Sequence, residues 1–153
     1  MPGRPKVLAI ASAGGHWVQM QLLAKAAFAD YEVAFVSTYA DQAEAVAGHR
    51  FYRITDVTRR NVPRMVRTSL ELVRVLLKER PDVVVTTGAL PGLLGIVLAK
   101  TMTHARTVWI DSIANCDEMS SSGKQARRFA DRWLTQWPEL AGPGGPEYWG
   151  ALI

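Results

Sequence analysis

The residue best suited to chemistry in this 153-residue chain is a histidine that directly follows two glycines, in Ser12-Ala13-Gly14-Gly15-His16. A neutral imidazole at the first turn of a helix can take a proton as a general base. The glycines ahead of it tolerate positive φ. Lacking Cβ, they also let a ligand reach the N–H groups at the helix start, where an anion or a developing negative charge is favoured. A second glycine-bearing turn, Thr87-Gly88-Ala89-Leu90-Pro91-Gly92, has the same character. A carboxylate, Asp111, follows another apolar run. It could orient His16, bind a sugar hydroxyl or cap the next turn, and position alone puts capping first. A Gly-Gly-His turn by itself reads equally well as an ordinary strand-to-helix connection. Gly-x-Gly-x-x-Gly is absent, and Ser120-Ser121-Ser122-Gly123-Lys124 lacks the earlier glycine and following Ser/Thr of a P-loop.

The elements around these turns alternate between strand and helix, which predicts a parallel sheet. Val7–Ile10 is a short apolar run expected to be buried on both faces, and Trp17–Ala27 then has helical spacing. Further strands are expected at 32–37, 51–54, 82–87, 107–110 and 133–137. Helices are expected from about 41 to 47, 61 to 79, 93 to 102 and 120 to 130, with Pro63 in a first turn and Pro81 as a stop. Loops at the carboxyl ends of the first and fourth strands should face each other where the strand order reverses. Tyr148–Ile153 is apolar and should tuck into its own sheet or into another chain.

Composition, with 48% apolar and 21% charged residues, is that of a globular domain. A chain of this length buries roughly 70% of its unfolded surface. No apolar run is long enough to span a bilayer, and Met1–Ala11 lacks the pattern of a signal peptide, so a cytosolic or peripheral protein is expected. Cys116 is the single cysteine, which excludes an intramolecular disulfide, and no Cys/His cluster has zinc spacing. Residues 50–80 hold nine of the 18 basic residues and only three of the 14 acidic ones. Within that segment Arg60, Arg64, Arg67, Arg74 and Lys78 share one helical stripe, and Met65, Val66, Val73, Leu76 and Leu77 are expected opposite. The stripe is either a solvated outer face or a contact for an anionic surface, lipid headgroups ahead of nucleic acid.

Four stretches carry a resemblance over nearly the whole chain: 12–16, Thr86–Gly92, Trp109–Asn115, and Asp131–Leu140 with Tyr148-Trp149-Gly150. The chain resembles the acceptor-side subunits of two-chain GT-B glycosyltransferases, both the bacterial PssD-like polysaccharide proteins and the eukaryotic membrane-anchor subunit of the dolichol-linked N-acetylglucosamine transferase. Its Gly-Gly-His turn is also similar to that of MurG-type transferases. The resemblance implies one α/β, Rossmann-like acceptor-binding domain over 1–153, with helices on both faces of a parallel sheet, equivalent to the N-terminal half of a GT-B enzyme. It implies inverting sugar transfer to a lipid-diphosphate-linked acceptor in exopolysaccharide, capsule or glycan assembly. A PssE-like partner chain would hold most of the nucleotide-sugar donor, UDP-linked. His16 and Asp111 are the catalytic candidates, and Ser12, Gly14, Gly15, Thr87, Gly88, Ala89 and Asn115 the substrate-binding ones. Arg60, Arg64, Arg67 and Arg74 would face the membrane. No cofactor, metal or nucleic acid is expected, and the location would be the inner face of the plasma membrane. A non-catalytic scaffold that recruits a separate transferase is the alternative.

Overall fold

The computed structural model describes residues 3–152. Five main strands form its centre: β1 (Lys6–Ile10), β2 (Glu32–Ser37), β4 (Val83–Thr86), β5 (Arg106–Ile110) and β6 (Arg132–Thr135). β3 (Arg50–Arg53) and β7 (Glu147–Tyr148) lie at the two edges. All pair in parallel, in the order β3-β2-β1-β4-β5-β6-β7. The order reverses between β1 and β4, as the alternation of elements predicts.

Because parallel neighbours are joined by crossovers of one hand, the side of the sheet on which a helix lies follows the direction in which the chain moves. α1 (Gly15–Ala27) joins β1 to β2 and packs Trp17 and Met20 with Val7, Ala9, Val33 and Phe35 on one face. α2 (Val62–Glu79), α3 (Ala89–Met102) and α4 (Ser121–Ala126) pack on the other, against Leu8, Ile10, Val36, Val84 and Trp109. The α1 face is therefore bare over β4 to β6. There, residues 149–152 close one side of an apolar cavity of about 410 Å³ floored by Val83, Val85, Val108, Ile110 and Leu134.

The short helix expected at 41–47 is a 3₁₀ helix, Ala40–Val46, and of the boundaries that differ from the sequence reading three have a clear local reason. α3 begins at Ala89 instead of Leu93, since Pro91 falls in its first turn, where a missing N–H costs no helical bond. α4 stops at Ala126, and the amides of Phe129 and Ala130 both fold back onto the Ala126 carbonyl. β6 ends at Thr135, and residues 147–148 add a short edge strand beside it.

The face that α2 buries also differs. Thr68, Leu72, Val75, Leu76 and Glu79 turn inward, whereas Val66 (55% exposed) and Leu77 (61%) point out. Two buried polar groups set this rotation. Thr68 Oγ1 donates to the Thr55 carbonyl at 2.7 Å, and the Glu79 carboxylate accepts from Arg50 Nε at 2.7 Å and from Tyr52 OH. A count of apolar spacing cannot see partnered polar residues. The helix thus has three stripes: a buried one, a basic one, and an outward apolar one of Val62, Val66, Leu70, Val73 and Leu77 that spans about 80°.

Candidate functional site

Sheet order brings the loops after β1 and β4 together, and their contact fixes His16. Its Nδ1 lies 2.9 Å from the Thr87 carbonyl, which can only accept, so Nδ1 carries the proton. Thr87 Oγ1 donates back to the His16 carbonyl at 2.6 Å. In the neutral tautomer that this contact selects, Nε2 keeps its lone pair, which is what a general base needs. Gly88 packs flat against the imidazole: a Cβ there would stand 2.9 Å from His16 Cε1 and Nδ1, and its φ of 127° excludes most side chains. Gly14, at φ 77°, makes the equivalent turn before α1. Ala89 holds a positive φ of 67° without being glycine, a local strain at the same edge.

His16 borders an open cavity of about 340 Å³ with Ala89, Ser112, Ala114, Asn115 and Ser120 to Ser122. Neither α1 nor α3 has a side-chain cap, so the first N–H groups of both helices face this crevice without one. At the end of β2, the hydroxyls of Ser37 and Thr38 are buried with no hydrogen-bond partner among the described residues.

The expected residues separate into groups. His16, Ala89 and Asn115 line the cavity; Gly14 and Gly15 are exposed in the first turn, and Ser12 is half-buried before them. Thr87 and Gly88 are buried beneath the ring, so Thr87 acts on His16 instead of offering its hydroxyl to a ligand. Asp111 is only 2% exposed, and every bond it makes is structural. Its Oδ1 accepts from Trp109 Nε1 at 3.0 Å and from Ser120 Oγ at 2.6 Å, and its Oδ2 accepts from the Ser120 amide at 2.8 Å. Of its three conceivable roles, capping the next turn is the one the geometry displays, since the bond that orients His16 comes from Thr87. Arg60, Arg64, Arg67 and Arg74 are all exposed, with Arg67 paired to Glu71 at 3.3 Å.

Sequence reasoning missed Ser112, Ser120 to Ser122 and Gln19. Among the described residues no group of three His, Cys, Asp or Glu could hold a metal, and no helix is long and apolar enough to cross a membrane.

Residues 7–152 match the family model described as "Oligosaccharide biosynthesis protein Alg14 like", and the chain belongs to that family. Among curated relatives, the UDP-N-acetylglucosamine transferase subunit ALG14 of Eremothecium gossypii is 33% identical over 94 residues, 56% of this chain and 41% of that protein. Its counterpart in Schizosaccharomyces pombe is 37% identical over 67 residues, 40% of this chain and 31% of that protein. The matches thus span less than half the length of these relatives. In fold, the chain is similar to MurG of Acinetobacter baumannii, with a TM-score of 0.75 at 14% identity, over 94% of this chain and 45% of that one. It is also similar to the UDP-N-acetylglucosamine 2-epimerase of Rickettsia bellii, at 0.67 and 14%, over 89% and 40%. At such identities these structures speak for the fold alone.

Proposed function

We propose that this Alg14-like chain binds the acceptor of an inverting glycosyltransferase whose nucleotide-sugar donor, UDP-linked, is held by a partner chain of the PssE type. The observation that carries the reading is the bare Nε2 of His16, aimed by Thr87 and Gly88 at the rim of a hydroxyl-lined cavity. In the reaction, the acceptor hydroxyl gives its proton to Nε2 as its oxygen bonds to the anomeric carbon. The bond from that carbon to the donor diphosphate breaks, and the electron pair leaves with the diphosphate. The uncapped starts of α1 and α3 offer N–H groups to a diphosphate. Asn115 and the serines are placed to hold sugar hydroxyls.

The acceptor we propose is a lipid-diphosphate-linked sugar, presented at the cytoplasmic face of a membrane. Supporting it is α2, whose outward Val62, Val66, Leu70 and Leu77 lie beside Arg64, Arg67, Arg74 and Lys78, a pattern suited to lying in an anionic headgroup layer. Residues 149–152, with Trp149 65% exposed and under the Arg132 guanidinium, form our candidate contact for the donor chain.

The test is reconstitution: the chain with a PssE-like subunit, radiolabelled UDP-sugars and a polyprenyl-diphosphate sugar, each chain also assayed alone. Transfer by the pair only is the expected result. Full transfer by the donor subunit alone would instead make this chain a recruiting scaffold. On vesicles containing anionic lipid, replacing Arg64, Arg67 and Arg74 by Gln should weaken binding by about 1 kcal/mol per charge, and added salt should mimic the loss. Unchanged sedimentation would return α2 to a solvated face.

A further inference from the structure

Behind the cavity, two buried glutamines join three segments that are distant in sequence. Gln19, 5% exposed, lies on α1 three residues after His16, and Gln136, 3% exposed, follows β6. Gln19 Nε2 donates to Ser112 Oγ at 3.1 Å, and its Oε1 accepts from the Ile113 amide at 3.2 Å. Gln136 Nε2 donates to Gln19 Oε1 at 2.6 Å and to the Asp111 carbonyl at 2.9 Å. Its remaining atom, Oε1, accepts from the Leu152 amide at 2.9 Å. Ser112 Oγ in turn accepts from the Ala114 amide, and Trp137 Nε1 donates to the Ile113 carbonyl. One N–H of Gln136 is therefore spent on the site loop and the other on Gln19 of α1, which itself holds that loop, and its acceptor is spent on the segment after β7. Its orientation is fixed, because the opposite amide placement would set Oε1 against two other oxygens.

The loop held this way, residues 111–115, supplies Ser112, Ala114 and Asn115 to the wall facing His16. It has no regular structure of its own, and its inner side rests on side-chain bonds more than on a ladder. We propose that Gln19 and Gln136 are positioning residues, and that the seating of residues 149–152 on Gln136 sets the shape of the acceptor cavity. That the cavity takes an acceptor rests on the function proposed above; the hydrogen bonds do not. In a buried network each unsatisfied group is costly, so losing the Leu152 amide frees a buried acceptor and invites Gln136 to turn away from the loop. A partner that grips or releases residues 149–152 would then act on the acceptor site from behind the sheet.

The experiment uses the full chain, with Leu152→Pro to delete the donor and Gln136→Met to delete the acceptor at similar volume. The readout is amide hydrogen exchange by NMR. Each variant should speed exchange at Ile113 and Ala114 by about tenfold or more while Ala9 and Phe35 in β1 and β2 keep their protection. The double variant should go no further than Gln136→Met alone, because that substitution already removes the bond that Leu152→Pro deletes. Unchanged exchange at Ile113 and Ala114 in the Leu152→Pro chain overturns the proposal, as does loss of protection throughout the sheet. In the reconstituted pair, both variants should raise KM for the acceptor severalfold and leave KM for the nucleotide-sugar unchanged. A wild-type pair that transfers nothing defeats the proposed function but leaves the exchange result standing.

Discussion

The four helices begin along the same edge of the sheet, yet they begin differently. α2 and α4 are closed by side chains: Asn61 Oδ1 accepts from the Arg64 amide at 3.1 Å, and Ser120 Oγ from the Gly123 amide at 2.9 Å. α1 and α3 start on Gly14 and Gly88 with no side-chain cap. Helix starts leave N–H groups that something must satisfy, and a cap is worth about 1 kcal/mol. Omitting it at the two helices that flank the strand-order reversal, while keeping it at the two that do not, marks the pair as the open one. The same contrast separates His16, with one ring nitrogen uncommitted, from Asp111, with both oxygens engaged. Groups whose bonds are complete should act on stability, and groups left open should act on turnover.

The largest effect expected from this contrast is at His16. His16→Ala should lower transfer by the reconstituted pair by about a hundredfold or more, with little change in melting temperature. Near-normal turnover would remove His16 as the base. Gly88→Ala should reproduce part of that loss, because its Cβ would push the imidazole off Thr87.

A completed cluster at the opposite edge gives the converse. Arg50 bridges Glu79 and Glu32, both at 2.7 Å, and the hydrogen bond from Arg50 holds the Glu79 carboxyl below its ordinary range against the opposing effect of burial. A depressed carboxylate stabilises the fold above its unfolded pKa and ceases to do so as pH falls through the folded value. Arg50→Met should therefore cost about 2 kcal/mol at neutral pH, or roughly 4 to 8 °C in Tm, without altering kcat. The deficit should shrink as pH falls below the ordinary carboxylate range and through the depressed folded value, where Glu79 becomes protonated in wild type as well as in the variant. A pH-independent deficit would detach the effect from Glu79.

What was legible in the sequence follows the same division. Strand order and the meeting of the two glycine turns were readable, because alternating apolar runs and helical spacing leave few topologies once crossovers have one hand. His16 was readable from its two glycines. The buried face of α2 was not, since Thr68 and Glu79 look polar until Thr55, Arg50 and Tyr52 supply their partners. Gln19 and Gln136 were invisible for the same reason: they are 117 residues apart and become one network only after α1 and β6 are placed.

Asp111 offers the finest test, because it sits at the functional edge but belongs with the completed groups. If it oriented His16, Asp111→Asn would remove a bond that matters only while the imidazole is present, and the substitution would cost little in a His16→Ala background. The geometry argues otherwise. Asp111 secures the Ser120 amide and hydroxyl and the Trp109 indole, and Gly123 crosses so near that a Cβ there would lie 2.6 Å from Oδ1. An amide can still accept from two of these donors but turns an N–H toward a third, so the cost falls on the start of α4, about 1 kcal/mol as for a lost cap. Whatever transfer is lost should come from displacement of Ser120 to Ser122 in the cavity wall. That loss should be the same with or without His16, giving a coupling energy under about 0.5 kcal/mol in the double-mutant cycle. Ser120→Ala should copy the stability change, since it removes the hydroxyl that joins Asp111 to the Gly123 amide. A coupling energy well above that limit, with Tm unchanged in Asp111→Asn, would move the carboxylate to the catalytic side of the comparison.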